Sequence, residues 1–172
     1  MNDKESFIIA AIVENKPGVL YHVSNMFRRR GFNIDSITVG PLERSDLARM
    51  TITVIGDEKI IDQVVKQMNK LIDVIKVSIL DPKKSVIREM ALVKVHASES
   101  KTRSDIINYA DVFRARVVDV SSDSMMIEIT GDSEKINAFI DLVKPFGIKE
   151  IARTGITALV RGPKPIEVKE VR

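Results

Sequence analysis

The 172-residue sequence predicts an α+β protein built as two tandem βαββαβ units. Three observations carry this. Short β-branched apolar runs alternate with stretches of helical apolar spacing, in the same order twice along the chain. A charged, proline-bearing segment, Asp81-Pro82-Lys83-Lys84, separates the two passes. Finally, Thr53-Val54-Ile55-Gly56-Asp57 is echoed by Glu128-Ile129-Thr130-Gly131-Asp132, each a strand running straight into a helix that an aspartate caps.

In the first pass, Phe7 to Glu14 is a nearly continuous apolar run and reads as a buried strand, broken by Asn15-Lys16-Pro17-Gly18. Val19, Leu20, Val23, Met26 and Phe27 then give the i, i+1, i+4, i+7, i+8 stripe of an amphipathic helix. Gly31 is placed to end that helix, because glycine takes the left-handed conformation cheaply. Asn33 to Gly40 and Arg49 to Ile55 read as strands on either side of the polar segment Glu43-Arg44-Ser45-Asp46. Gly56-Asp57 opens a helix with Ile60, Ile61, Val64, Met68 and Leu71 on its apolar face, and Val74 to Leu80 closes the unit as a strand.

In the second pass, Met90 to His96 is a strand and Ile106, Ile107, Ala110 and Phe113 mark a helix. Arg116 to Val120 and Met125 to Thr130 are strands, and Ile136, Phe139, Ile140 and Val143 mark a helix after Gly131-Asp132. Ile148 to Val160 reads as one last extended segment. The expected divisions are 1–80, a linker at 81–85, 86–161, and a loosely held tail at 162–172 carrying Pro163, Pro165 and alternating Lys and Glu.

Composition narrows the function. Hydrophobic residues at 44% and charged residues at 30% are ordinary for a globular chain. No apolar run approaches the ~20 residues of a membrane span, and the N-terminus lacks a signal peptide's apolar stretch. A cytoplasmic protein with no membrane partner is expected. Zero cysteines exclude disulfides, thiolate metal sites and a cysteine nucleophile. The net charge of +3 raises nucleic acid as a partner. However, the one strong basic run, Arg28-Arg29-Arg30, sits where it complements a helix dipole. With no tryptophan and 5% aromatics there is also little platform for stacked bases, so no nucleic-acid partner is expected.

No catalytic constellation assembles. His22 falls on the polar side of the first helix and His96 at a strand end, neither in a metal-ligand spacing. Phosphate-binding and dinucleotide-binding glycine motifs are absent, and Ser121-Ser122-Asp123-Ser124 reads as a hairpin turn. One segment does invite a ligand. Asn15-Lys16-Pro17-Gly18-Val19-Leu20 joins a buried strand to a helix N-terminus, where free N–H groups near Gly18 to Leu20 would face outward at the positive end of the dipole. From the residues alone an ordinary capped turn is the simpler reading, with a carboxylate site as the alternative.

Glu14-Asn15-Lys16-Pro17-Gly18-Val19-Leu20 followed by Phe27-Arg28-Arg29-Arg30-Gly31-Phe32-Asn33-Ile34 resembles the opening of an ACT domain. Ser36-Ile37-Thr38-Val39-Gly40 and Arg49-Met50-Thr51-Ile52 continue the likeness. Arg88 to Val95, Phe113 to Val120 and Ile151-Ala152-Arg153-Thr154-Gly155 narrow it to the small subunits of acetohydroxyacid (acetolactate) synthase. The resemblance runs from about Phe7 to about Arg161 and implies two ferredoxin-like domains, the first an ACT domain. It further implies a non-catalytic regulatory subunit that activates a large catalytic subunit and confers feedback inhibition by valine, with isoleucine or leucine as alternatives. The implied effector site takes in Asn15, Lys16, Pro17, Gly18, Val19 and Leu20 with Asn33, Ile34 and Thr38, and lies between paired ACT domains of a homodimer, Asn33 coming from the partner. Thiamine diphosphate, Mg and FAD would sit on the catalytic subunit, and this chain would carry no cofactor or metal. Two other readings stand beside it: an ACT regulator serving another enzyme, and an acylphosphatase-like enzyme. For the second, Arg30 and Asn33 fit superficially but no glycine-rich phosphate cradle is evident.

Overall fold

The computed structural model describes residues 5–163 and 165–166. The chain divides into two compact units. One holds the residues up to Val86 together with those from Ile156 onward, and the other holds Ile87–Gly155.

The first unit contains β1 (Glu5–Glu14), α1 (Val19–Arg30), β2 (Ile34–Pro41), β3 (Leu47–Gly56), α2 (Glu58–Met68) and β4 (Val74–Leu80). Its sheet runs β2-β3-β1-β4 with every neighbour antiparallel, the order expected of a βαββαβ unit. Alternate residues of the strands (Ile9, Ala11 and Val13; Met50, Ile52 and Val54) pack with Val23 and Phe27 of α1 and Ile61, Val64 and Met68 of α2 into one core. α1 ends in a Schellman motif, as the Gly31 position predicts. Gly31 has φ +69° and donates to the Arg28 carbonyl, Phe32 donates to the Phe27 carbonyl, and the Phe27 and Phe32 rings meet edge to face at 6.3 Å.

β1 is also buried on its other face: Ile8, Ala10 and Ile12 are as inaccessible as Ile9 and Ala11. The C-terminal segment lies on that face. Thr38 Oγ1 donates to the Ile156 carbonyl at 2.9 Å, and the Arg49 guanidinium donates to the Ala158 carbonyl at 2.7 Å. The continuous apolar run of β1 follows from this, since a strand covered on both faces has no position for a solvated side chain.

The second unit takes in most of β5 (Ser85–His96), then α3 (Ser100–Val112), β6 (Arg116–Val120), β7 (Ser124–Gly131), α4 (Ser133–Val143) and β8 (Ile148–Arg153). Its sheet repeats the topology as β6-β7-β5-β8, again antiparallel. Val93, Val95, Ile127 and Ile129 pack against Ile106, Ala110, Ile136 and Phe139. The sequence echo has a physical basis here. Asp57 accepts from the Ile60 N–H and Asp132 from the Lys135 N–H, both at 2.8 Å. A Cβ on the preceding glycine would lie 3.0 Å from Ile60 Cγ2 in one copy and 2.6 Å from Lys135 Cδ in the other.

Three boundaries differ from the sequence reading. The expected linker is one 3-10 turn, Pro82–Lys84, and β5 begins at Ser85 rather than Met90. Its polar pair Arg88-Glu89 does not delay the strand, because Glu89 is buried against Arg153. The final extended segment is two strands, β8 and β9 (Thr157–Val160), parted at Gly155 with φ +82°. That bend returns the chain to the first unit, so the residues from Ile156 group with 1–86 and not with 86–161. Most of the expected tail lies outside the described residues; Pro165 and Ile166, which are described, line a groove with Ile12, Leu47 and Arg49.

Candidate functional site

Gly18 sets the geometry of the turn between β1 and α1. Its φ of +92° and ψ of −16° bend the chain into the helix without a side-chain cap. The first intrahelical bond runs from His22 N–H to the Gly18 carbonyl. The N–H groups of Gly18, Val19 and Leu20 precede that bond, so none of them has an i−4 partner within the helix. Around them, Asn15 ties the turn to the β2–β3 loop, its N–H donating to the Asp46 carbonyl at 2.8 Å and its side-chain amide to the Ser45 carbonyl at 2.9 Å. Pro17 is exposed, Val19 is drawn into the core, and Leu20 is left 49% exposed beside Tyr21 at 66%.

Lys16 is not a free cation. Its ammonium lies between the Glu14 carboxylate and Asp73, the latter at 2.8 Å, and these hydrogen bonds raise its pKa to about 12. Asp73 is buried, and its other oxygen takes the His22 ring nitrogen Nδ1 at 2.6 Å. The bonds from Lys16 and then His22 hold the Asp73 carboxyl below its ordinary value. Sequence reasoning left His22 as a solvated side chain and passed over Asp73. The only trace was a lone aspartate inside the apolar run Leu71-Ile72-Asp73-Val74.

The remaining residues expected at the site stand elsewhere in the unit. Ile34 pairs with Val54 of β3, whereas Glu14, at the turn, pairs with Leu47. At ~3.4 Å per residue this places Asn33 and Ile34 roughly 24 Å along the sheet from the turn. Thr38 sits opposite Thr51 in mid-strand, on the face away from the helices, with its hydroxyl given to Ile156. One chain thus gathers Asn15 to Leu20 at one end of the sheet and Asn33 and Ile34 at the other.

A groove elsewhere in the first unit shares none of these residues. It encloses about 440 Å³ between Ile12, Leu42, Leu47, Arg49, Leu159 and Ile166. The buried Arg49 Nε has no acceptor among the described residues, and burial lowers the pKa of its guanidinium. In the second unit, Arg153 clamps Glu89 with two hydrogen bonds of 2.6 and 2.8 Å and reaches Asn137, while Ser133 donates to the same carboxylate. This is an ion pair between neighbouring strands, with the Glu89 carboxylate buried and Arg153 partly exposed. Among the described residues no group of three His, Asp or Glu side chains could hold a metal ion, and no helix is long and apolar enough to cross a membrane.

Comparison with known proteins matches the two halves of the chain to two family models. Residues 9–76 match the family described as the AHAS small subunit-like ACT domain, and residues 88–162 match the small subunit of acetolactate synthase. A probable acetolactate synthase small subunit from Archaeoglobus fulgidus is 59% identical over 156 residues, 91% of this chain and 97% of that one. The corresponding protein of Methanothermobacter thermautotrophicus is 55% identical over 162 residues, covering 94% and 96%. The crystal structure of the Thermotoga maritima acetolactate synthase small subunit superposes with a TM-score of 0.85 at 46% identity, covering 93% of this chain and 99% of that one. Matched over more than nine-tenths of its length in sequence and in fold, the chain belongs to the acetolactate synthase small-subunit family and is a regulatory, non-catalytic subunit.

Proposed function

We propose that this subunit senses a branched-chain amino acid at the β1–α1 turn and passes the signal to a large acetolactate synthase subunit, activating it when empty and limiting it when filled. The observation that carries the reading is the left-handed Gly18, which sets the Gly18, Val19 and Leu20 N–H groups ahead of the first helical hydrogen bond, at a helix N-terminus. They suit the effector's carboxylate. A second copy of the chain would bring Asn33 and Ile34 to the polar groups and side chain of the bound amino acid, alongside the exposed Leu20 of the first copy. Valine fits this description, as do isoleucine and leucine, because an apolar pocket separates side chains differing by one methylene by only ~1–3 kcal/mol.

Binding across a shared interface would favour the paired state over the unpaired one. If the catalytic subunit distinguishes those states, the two sites are coupled, typically by ~1–3 kcal/mol. Thiamine diphosphate, Mg and FAD belong to the catalytic partner on this reading, and the cytoplasm is its expected location. The test is reconstitution with the large subunit. The wild-type chain should raise activity and valine should reverse it, whereas Gly18→Asp, which sets a carboxylate where the ligand's own must lie, should raise activity without responding to valine. A valine response retained by Gly18→Asp would remove the turn from the effector site.

A further inference from the structure

We propose that Asp73 is the positioning residue of the effector turn: by holding Glu14, Lys16 and His22 at once it fixes the loop that presents the Gly18–Leu20 N–H groups. The inference rests on the reading that this turn receives the amino acid's carboxylate. Asp73 lies between α2 and β4 and belongs to neither element that forms the turn. It nevertheless grips the turn at three places. Its backbone carbonyl accepts the Glu14 N–H at 2.9 Å, at the last residue of β1. Its carboxylate accepts Lys16 Nζ at 2.8 Å within the turn, and His22 Nδ1 at 2.6 Å one helical turn beyond Gly18. These three attachments bracket Gly18. The carboxylate is buried, so it requires those partners, while the Lys16 and His22 side chains are each half-exposed.

The cluster also sets the charge that an incoming carboxylate meets. Lys16 is shared by two carboxylates, Glu14 and Asp73, and is therefore spent within the protein and is no counter-ion for the ligand. The groups facing His22 are Asp73 from the α2–β4 connection, with Lys16 and Glu14 behind it, and the neighbouring Tyr21 ring. Asp73→Asn removes the charge that holds the Lys16 and His22 side chains and should therefore release the turn they bracket.

The full chain and its Asp73→Asn variant are titrated with valine by calorimetry. Hydrogen exchange of residues 14–22 is followed in both without ligand. The expected results are affinity weakened roughly fivefold or more, the low end for coupling between separate groups, and faster exchange limited to the turn. Unchanged affinity and turn exchange in Asp73→Asn would overturn the proposal. Exchange that quickens evenly through the whole unit, with no excess at the turn, would overturn it too, leaving Asp73 only structural. Should the wild type bind no branched-chain amino acid, the ligand reading fails by itself, and turn exchange unaltered by Asp73→Asn would then separately refute the anchoring. If Asp73→Asn fails to fold, Lys16→Gln and His22→Gln, both at half-exposed positions, must loosen the turn, and unchanged exchange in both refutes it.

Discussion

A side chain placed at Gly18 would meet no atom within 4 Å, so any replacement is opposed by the backbone alone. At φ +92° an L-residue costs about 1–2 kcal/mol. Gly18→Ala should lower stability by about that amount in urea unfolding and weaken valine binding, whereas Gly18→Asp should lose binding altogether; the difference between the two isolates the carboxylate. Glu89 makes a second prediction. The hydrogen bonds from Arg153 hold its carboxyl below the ordinary 4.5, ahead of burial acting the other way. A folded-state pKa below the unfolded one contributes stability above the unfolded value and loses it as pH falls through the folded one. Asp73 acts in the same sense below its ordinary 3.8. Lys16 acts in the opposite sense: its contribution is complete below its ordinary 10.5 and is lost as pH rises through about 12. Denaturation across pH should therefore show a plateau with an acid arm below about 4.5. Glu89→Gln should cost about 1.5–3 kcal/mol on the plateau, the usual worth of a hydrogen-bonded charged pair, and shrink that arm. A variant with wild-type stability at neutral pH would show the pair to be idle.

Elements were legible where their signals are local. The Gly31 stop and the aspartate caps of α2 and α4 follow from spacings of four residues or fewer, and the α1 stripe from two helical turns; the structure places them as read except for Leu20, which stands 49% exposed. The boundaries that moved depend on distant partners. β5 starts early because Glu89 finds Arg153, 64 positions away, and the last strand divides because Ile156 and Ala158 find Thr38 and Arg49. Asp73 was missed for the same reason: His22 lies 51 positions from it. A fragment ending at Pro82, which spans the first expected division, lacks the segment from Ile156 that bonds to Thr38 and Arg49. It should unfold at a lower denaturant concentration than the first unit of the full chain. Equal midpoints would show that the C-terminal segment contributes nothing there.

For the whole molecule, the division of the expected site between the two ends of one sheet is the decisive geometry. Nothing in a single sequence states it, because the distance between Asn33 and Gly18 depends on the pairing of β3 with both β1 and β2. One chain alone cannot bring Asn33 and Gly18 to the same ligand, so the proposed sensor is a homodimer. Sedimentation of the purified chain should show at least a dimer, and a monomer unaffected by valine or concentration would end the shared-site account. The most direct test of the central claim is calorimetric titration of the full chain with valine, leucine and isoleucine, repeated with Asn33→Ala. The account predicts saturable binding of at least one of the three, lost in Asn33→Ala although that residue lies roughly 24 Å from the turn in its own chain. Binding unchanged by the substitution, or no binding of any of the three, would contradict it.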